Sequence, residues 1–148
     1  MKAIFYAIAI FTLLGLAVSY PAGADTVPNL LPTYEKLSNA LFQDDLAEAQ
    51  RMARELAAEA KKTENEAIGA HAADLEQSDS LFEARREFKT ISAAIIEIAR
   101  GRSGYHIFTC QMPYTPCLMK DCDWVQSTTT ITNPYLGQFM PGCGMRKE

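Results

Sequence analysis

Two stretches near the C-terminus concentrate the residues best suited to chemistry: CQMPYTPCLMKDC at residues 110–122 and NPYLGQFMPGCGM at 133–145. They hold all four cysteines of the chain and four of its six methionines. In an extended segment side chains repeat their direction every two residues, so Cys110 and Met112 form a Cys-x-Met clip with both sulfurs on one face. Met140 and Cys143 lie three apart in a turn bounded by Gly137, Pro141 and Gly144 and make a second clip in reverse order. If the clips face one another, they offer two thiolates and two thioethers. Such soft donors suit Cu(I), and by the same softness Ag(I); magnesium and calcium want oxygen, and zinc more naturally recruits His or four Cys. His106, four residues before Cys110, shares its strand face and is an accessory candidate. Cys117, Met119 and Cys122 are further candidates, either as a looser metal clip or, for the two cysteines, as a local disulfide.

A disulfide framework competes with this reading. Four cysteines allow three pairings, and an exported protein of this size commonly carries such staples. The methionines weigh the other way, because a staple has no use for thioethers, although Met can also fill gaps in a core. Trp124 and Tyr135 are expected to cover the site or the bundle end.

The elements that position these residues divide at about Gly101. Residues 1–24 read as a secretory signal peptide: Lys2, an apolar run from Ala3 to about Val18, and a small-residue cleavage site at Ala22, Gly23 and Ala24. The remaining 25–148 forms a single metal-binding domain, with a helical bundle over about 30–101 and a sulfur-rich tail over 105–145. No membrane attachment is expected once the leader is cut. Losing Lys2 takes the formal charge from −4 to −5, and with no run of Lys or Arg this argues against a nucleic-acid partner.

The fold class that follows is mainly α, an antiparallel bundle of about four helices with a short β-containing tail. Leu30, Tyr34, Leu37 and Leu41 recur at helical spacing, with Pro32 tolerable in the first turn. Asp45 with Glu48 starts a second helix presenting Leu46, Ala49, Met52, Ala53, Leu56 and Ala60. A weaker third helix covers Glu64 to Gln77, with Ile68, His71, Ala72 and Leu75 inward, His71 serving as an interior or boundary histidine rather than as a ligand. Ser80 with Glu83 opens a fourth, whose stripe Leu81, Ala84, Phe88, Ile91, Ile95 and Ile98 runs to Gly101 and Gly104. Beyond it Tyr105–Thr109 and Ser127–Thr132 are rich in β-branched and aromatic residues and are expected to pair as strands.

No enzyme signature is present: there is no nucleophile elbow, no phosphate-binding glycine loop and no His-Glu-x-x-His helix. The Cys-x-x-Cys spacing of thiol oxidoreductases is missing as well. The expectation is a binding protein rather than an enzyme, with a disulfide-stapled interaction module, or a thiol-redox protein, as the alternatives.

The residues also resemble a known family. Cys110 and Met112, Trp124, then Asn133, Pro134, Tyr135, Gly137, Met140, Cys143 and Gly144 match the tail pattern of an exported domain-of-unknown-function family, found free-standing or attached to copper and silver efflux adaptors of the CusB kind. Arg85, Phe88, Ile91 and Ser92 resemble its last helix. The resemblance implies a periplasmic protein that binds Cu(I) or Ag(I) through Cys110, Met112, Met140 and Cys143, and buffers it or passes it to an efflux adaptor or metallochaperone. Gln111 stands where the family has Pro, and the segment bearing Cys117 and Cys122 is extra.

Overall fold

The computed structural model describes residues 30–113 and 122–147. The expected leader, and the candidates Cys117 and Met119, lie outside the described residues. Four helices come first: α1 Leu30–Phe42, α2 Leu46–Lys62, α3 Glu66–Glu76 and α4 Leu81–Ala99. Three strands follow, β1 His106–Cys110, β2 Cys122–Gln126 and β3 Met145–Arg146, with a short 3-10 turn at Gly137–Phe139. The fold is mainly α with a small antiparallel sheet, as the patterning predicts. Among the described residues no helix is long and apolar enough to cross a membrane.

The helix boundaries follow from local chemistry. Asp45 accepts a hydrogen bond from the Glu48 amide at 3.0 Å, and Ser80 accepts one from the Glu83 amide at 3.3 Å. Each side chain thereby satisfies a donor that has no partner within the first turn of its helix. The Glu83 carboxylate returns to the Asp79 amide rather than to that of Ser80. α3 starts two residues later than its pattern suggests, because Glu64 takes the left-handed conformation, φ 55°, in the turn after α2. Its cap residue Asn65 makes no side-chain capping hydrogen bond, consistent with the weak helical signal there. Gly101 and Gly104, at φ 77° and 85°, end the helical region where expected.

The turns between consecutive helices are short, so α2 packs against both α1 and α3, and α3 against α4. The apolar stripes meet in one core: Leu37, Leu41, Met52, Leu56, Ile68, Leu75, Phe88, Ile91 and Ile95 are fully buried. His71 sits at the boundary of this core, its Nδ1 2.9 Å from a Glu87 carboxylate oxygen on α4.

The sheet has the order β2-β1-β3 and lies with β2 against α4. β1 pairs with β2 in the register Phe108↔Trp124 and Cys110↔Cys122, and with β3 in the register Thr109↔Met145. This corrects the expectation for 127–132, which forms no strand. The Gln126 side chain gathers that segment into a loop instead. Its Nε2 donates to the Thr128 and Thr130 carbonyls at 2.9 and 2.7 Å, and its Oε1 accepts from the Thr132 amide at 3.3 Å. A single buried amide therefore overrides the β-propensity of the threonine run, a preference that depends on context more than helix propensity does.

One file of rings joins the bundle to the sheet. Tyr34 stacks on Phe88 at 5.2 Å, Phe88 meets Tyr135 at 5.5 Å, Tyr135 meets Trp124 edge-on at 6.2 Å, and Trp124 stacks on Phe108 at 5.7 Å. The Tyr34 hydroxyl bonds Ser92 at 2.6 Å and accepts from the Val125 amide at 3.2 Å. Burial, partly offset by these bonds, raises its pKa far above the usual phenol value.

Candidate metal centre

Cys110 closes β1 and Cys143 stands two residues before β3. Because Thr109 is level with Met145, the antiparallel register sets Cys143 across from the end of β1. The result is a Cys110 Sγ to Cys143 Sγ separation of 3.5 Å, with both cysteines free. Cys110 is buried and Cys143 half-buried. Burial is the main influence on the Cys143 thiol, with the adjacent Cys110 second, and both push its pKa up.

The separation is informative. A disulfide would need about 2.05 Å between the sulfurs. Two thiolates on one tetrahedral ion, each about 2.3 Å from it, stand about 3.8 Å apart. At 3.5 Å the two thiols are unbridged and in direct contact.

The Cys143 turn is fixed from beneath by Asn133, which is fully buried. Asn133 Nδ2 donates to the Cys143 carbonyl at 2.6 Å, and its Oδ1 accepts from the Tyr135 and Leu136 amides at 2.8 and 3.1 Å. Its backbone amide donates to the Pro141 carbonyl, and its carbonyl accepts from Gly137. Asn133 belongs to the resembled motif, but spacing alone assigned it no role. What marks it is the Asn-Pro step, where a short amide side chain can bond amides two and three residues on. Gly144 then brings the backbone against Trp124: a Cβ there would lie 2.7 Å from the indole Cη2, at φ 152°. Trp124 thus packs directly under the Cys143 turn, and Tyr135, fully buried, donates its hydroxyl to the Asp123 carbonyl at 2.7 Å.

A second anchor ties the turn to the helices. Arg85 on α4 donates to the Pro134 carbonyl and to the Leu41 carbonyl, both at 2.8 Å, and pairs with Asp44. Asp44 in turn accepts from the Gln138 amide at 3.1 Å. Gly137, at φ 52°, passes so close that a Cβ would strike both the Asp44 carboxylate and the Arg85 guanidinium.

Met112 and Met140 are half-buried and pack on the same core as Cys143. His106 is not brought to the thiols. It occupies the other end of β1, about 13 Å away at roughly 3.3 Å per residue, with Phe108 between; its ring meets Phe108 edge-on at 6.5 Å. Cys122 lies beside Cys110 but is disulfide-bonded, so it offers no thiolate. The other cysteine of the expected local bridge, Cys117, lies outside the described residues.

A family model described as "Protein of unknown function (DUF3347)" matches residues 30–104. That span is the helical bundle and stops just short of β1. No curated protein and no solved structure matches the chain.

Proposed function

We propose, for a chain that belongs to the DUF3347 family of proteins of unknown function, that the thiol pair at the end of β1 binds Cu(I) or Ag(I). The observation that carries the reading is the 3.5 Å approach of two unbridged cysteines from opposite ends of the tail. Thiolates are soft donors, and half-buried Met112 and Met140 flank them in sequence with thioethers, which select monovalent copper over harder ions. Trp124 and the Asn133 turn supply a dry, fixed floor, which limits water access and holds the sulfur in place.

The role we infer is buffering of the ion in the periplasm after cleavage of a leader at residues 1–24, and delivery to an efflux adaptor of the CusB kind or to a metallochaperone. A pair carried by one strand and the turn beside it suits a cargo that must be captured without closing the site permanently.

The test is a Cu(I) titration against a competing chelator, with ascorbate as reductant so that disulfides survive. One ion per chain is expected. Cys110→Ser or Cys143→Ser should weaken binding by about 100-fold or more, and the Met112→Leu, Met140→Leu pair by about tenfold, in keeping with the softness of both donor types. Binding must also release protons. Burial keeps the Cys143 thiol protonated above the pH at which an ordinary cysteine ionises. Apparent affinity should therefore rise with pH, by about tenfold per unit for each proton displaced. Copper binding unchanged in the Cys110→Ser, Cys143→Ser double variant would overturn the reading. Absence of free thiols in protein purified without reductant, together with indifference to Cu(I), would establish the disulfide-stapled module instead.

A further inference from the structure

The bundle carries a second group of donor atoms, of a different chemical kind. His71 and Asp74 are three residues apart on α3 and so share a face, and Glu87 on α4 opposes them. Each offers one ligand atom, and all three atoms lie within 4.8 Å of one another. The closest pair, His71 Nδ1 and Glu87 Oε2, is 2.9 Å apart. This is hydrogen-bonding distance, so an ion that binds here displaces the proton between the two atoms; donors each about 2.1 Å from it and at nearly a right angle keep about the same separation. Right angles between nitrogen and oxygen donors are the preference of tetragonal Cu(II) or Ni(II), rather than of tetrahedral zinc.

The surroundings favour a cation. Arg86 Nε donates to the other Glu87 oxygen, Oε1, at 3.1 Å and leaves Oε2 facing His71. Asp74 and Glu87 also line a surface hollow of about 340 Å³ that, among the described residues, includes Asp79, Glu83 and Arg86. Asp74 is exposed, so its side chain can rotate the remaining fraction of the distance toward an ion held by the other two.

We propose that His71, Asp74 and Glu87 form a binding site for a divalent borderline cation, taken most tightly as Cu(II). An imidazole nitrogen and two carboxylate oxygens hold it between α3 and α4, and water fills the remaining positions. Hard cations are poor occupants, because Ca²⁺ takes six or more oxygens and Mg²⁺ gives up its water reluctantly. Building metal sites from side chains on facing helices is a recurrent use of bundles. The chain then separates two oxidation states of one element by donor softness, thiolate for the monovalent ion and imidazole with carboxylate for the divalent one. This site does not depend on the thiol reading and stands or falls separately.

The deciding experiment uses the Cys110→Ser, Cys143→Ser double variant of the full chain, so that Cu(II) neither oxidises nor binds the thiols. Electron paramagnetic resonance during Cu(II) titration should show one tetragonal ion per chain, with hyperfine coupling from a single imidazole. The chain has two histidines, so the source of that coupling is decidable. His71→Gln should abolish it and weaken binding by about 100-fold, and Glu87→Gln and Asp74→Asn by about tenfold each. Ni(II) and Zn(II) should bind less tightly, in the order that divalent ions follow with most such donors. Coupling that persists in His71→Gln assigns the ion to His106 and overturns the proposal, as does equal Cu(II) affinity in all three variants. Should His71→Gln lose helicity by circular dichroism, Asp74→Asn decides alone, since that exposed side chain is free of the core.

Discussion

The bundle and the tail solve the same problem, fixing a chain in place, by different means. In the bundle the work is done by repetition. Leu37, Leu41, Leu56, Ile68, Ile91 and Ile95 are all fully buried and interchangeable in kind, and the helical period alone sends them to the core. The tail buries apolar residues too, Phe108, Trp124 and Tyr135 among them, but no single period places them. It depends on single polar residues with several partners each: Asn133 under the Cys143 turn, Gln126 within the threonine loop, and Arg85 reaching across from α4. Trimming one residue of a periodic apolar face costs that residue's own packing, about 2–5 kcal/mol for a large side chain. A buried amide that loses its partners leaves several polar groups unsatisfied at once.

The largest effect should come where the two regions touch. Phe88 stacks on Tyr34 on one side and meets Tyr135 on the other. Phe88→Ala should lower stability by about 3–5 kcal/mol. If bundle and tail are one cooperative unit, helical circular dichroism and Trp124 fluorescence will report the same shifted midpoint in urea; separate midpoints would show that the tail unfolds independently.

Asn133→Ala sharpens the comparison from the other side. It leaves the Tyr135 and Leu136 amides and the Cys143 carbonyl without their partner, at a cost of about 2–3 kcal/mol. Helical content should be retained, while Cys110 and Cys143 become markedly faster to alkylate with a thiol reagent. A variant whose thiols stay as slow as in the parent chain would remove Asn133 from its positioning role.

The smallest effect belongs to a position that serves the bundle alone. Asp45→Ala removes the cap of α2 and should cost about 1 kcal/mol. Thermal denaturation should register it, and the Cu(I) affinity of the tail should not change. A parallel loss of metal affinity would mean that the start of α2 reaches the site through neighbouring Asp44.

This contrast also explains what could be read from the sequence. The four helices, the two caps at Asp45 and Ser80 and the glycine stops were legible because each rests on contacts within a few residues. The juxtaposition of Cys110 with Cys143 was legible only as an expectation from sulfur chemistry, since spacing offers no distance across 33 residues. The strand at Cys122–Gln126 was missed in favour of the threonines after it, because propensity does not see the Gln126 side chain folding them into a loop. His106 shared a face with Cys110 but not a neighbourhood: parity along a strand gives direction, and four residues of extension give separation. His71 was placed correctly at the core boundary, yet its pairing with Glu87 needed the packing of α3 on α4. The family match tells a related story. It falls on the bundle, the region whose likeness rested on the plainer pattern, while the more distinctive tail lies beyond it.

The two-residue length of β3 has a mechanical consequence. One of the paired sulfurs is carried on the central strand of the sheet, and the other arrives with an edge segment zipped on by the Thr109–Met145 and Phe108–Arg146 rungs and the bond from the Lys147 amide to the Ile107 carbonyl. Beyond those rungs the segment is held by the Asn133 side chain, which bonds the Cys143 carbonyl, and by the Lys147 ammonium on Asp123. In the role we propose for the pair, release of that edge would part the two sulfurs and open the site from the sheet side alone.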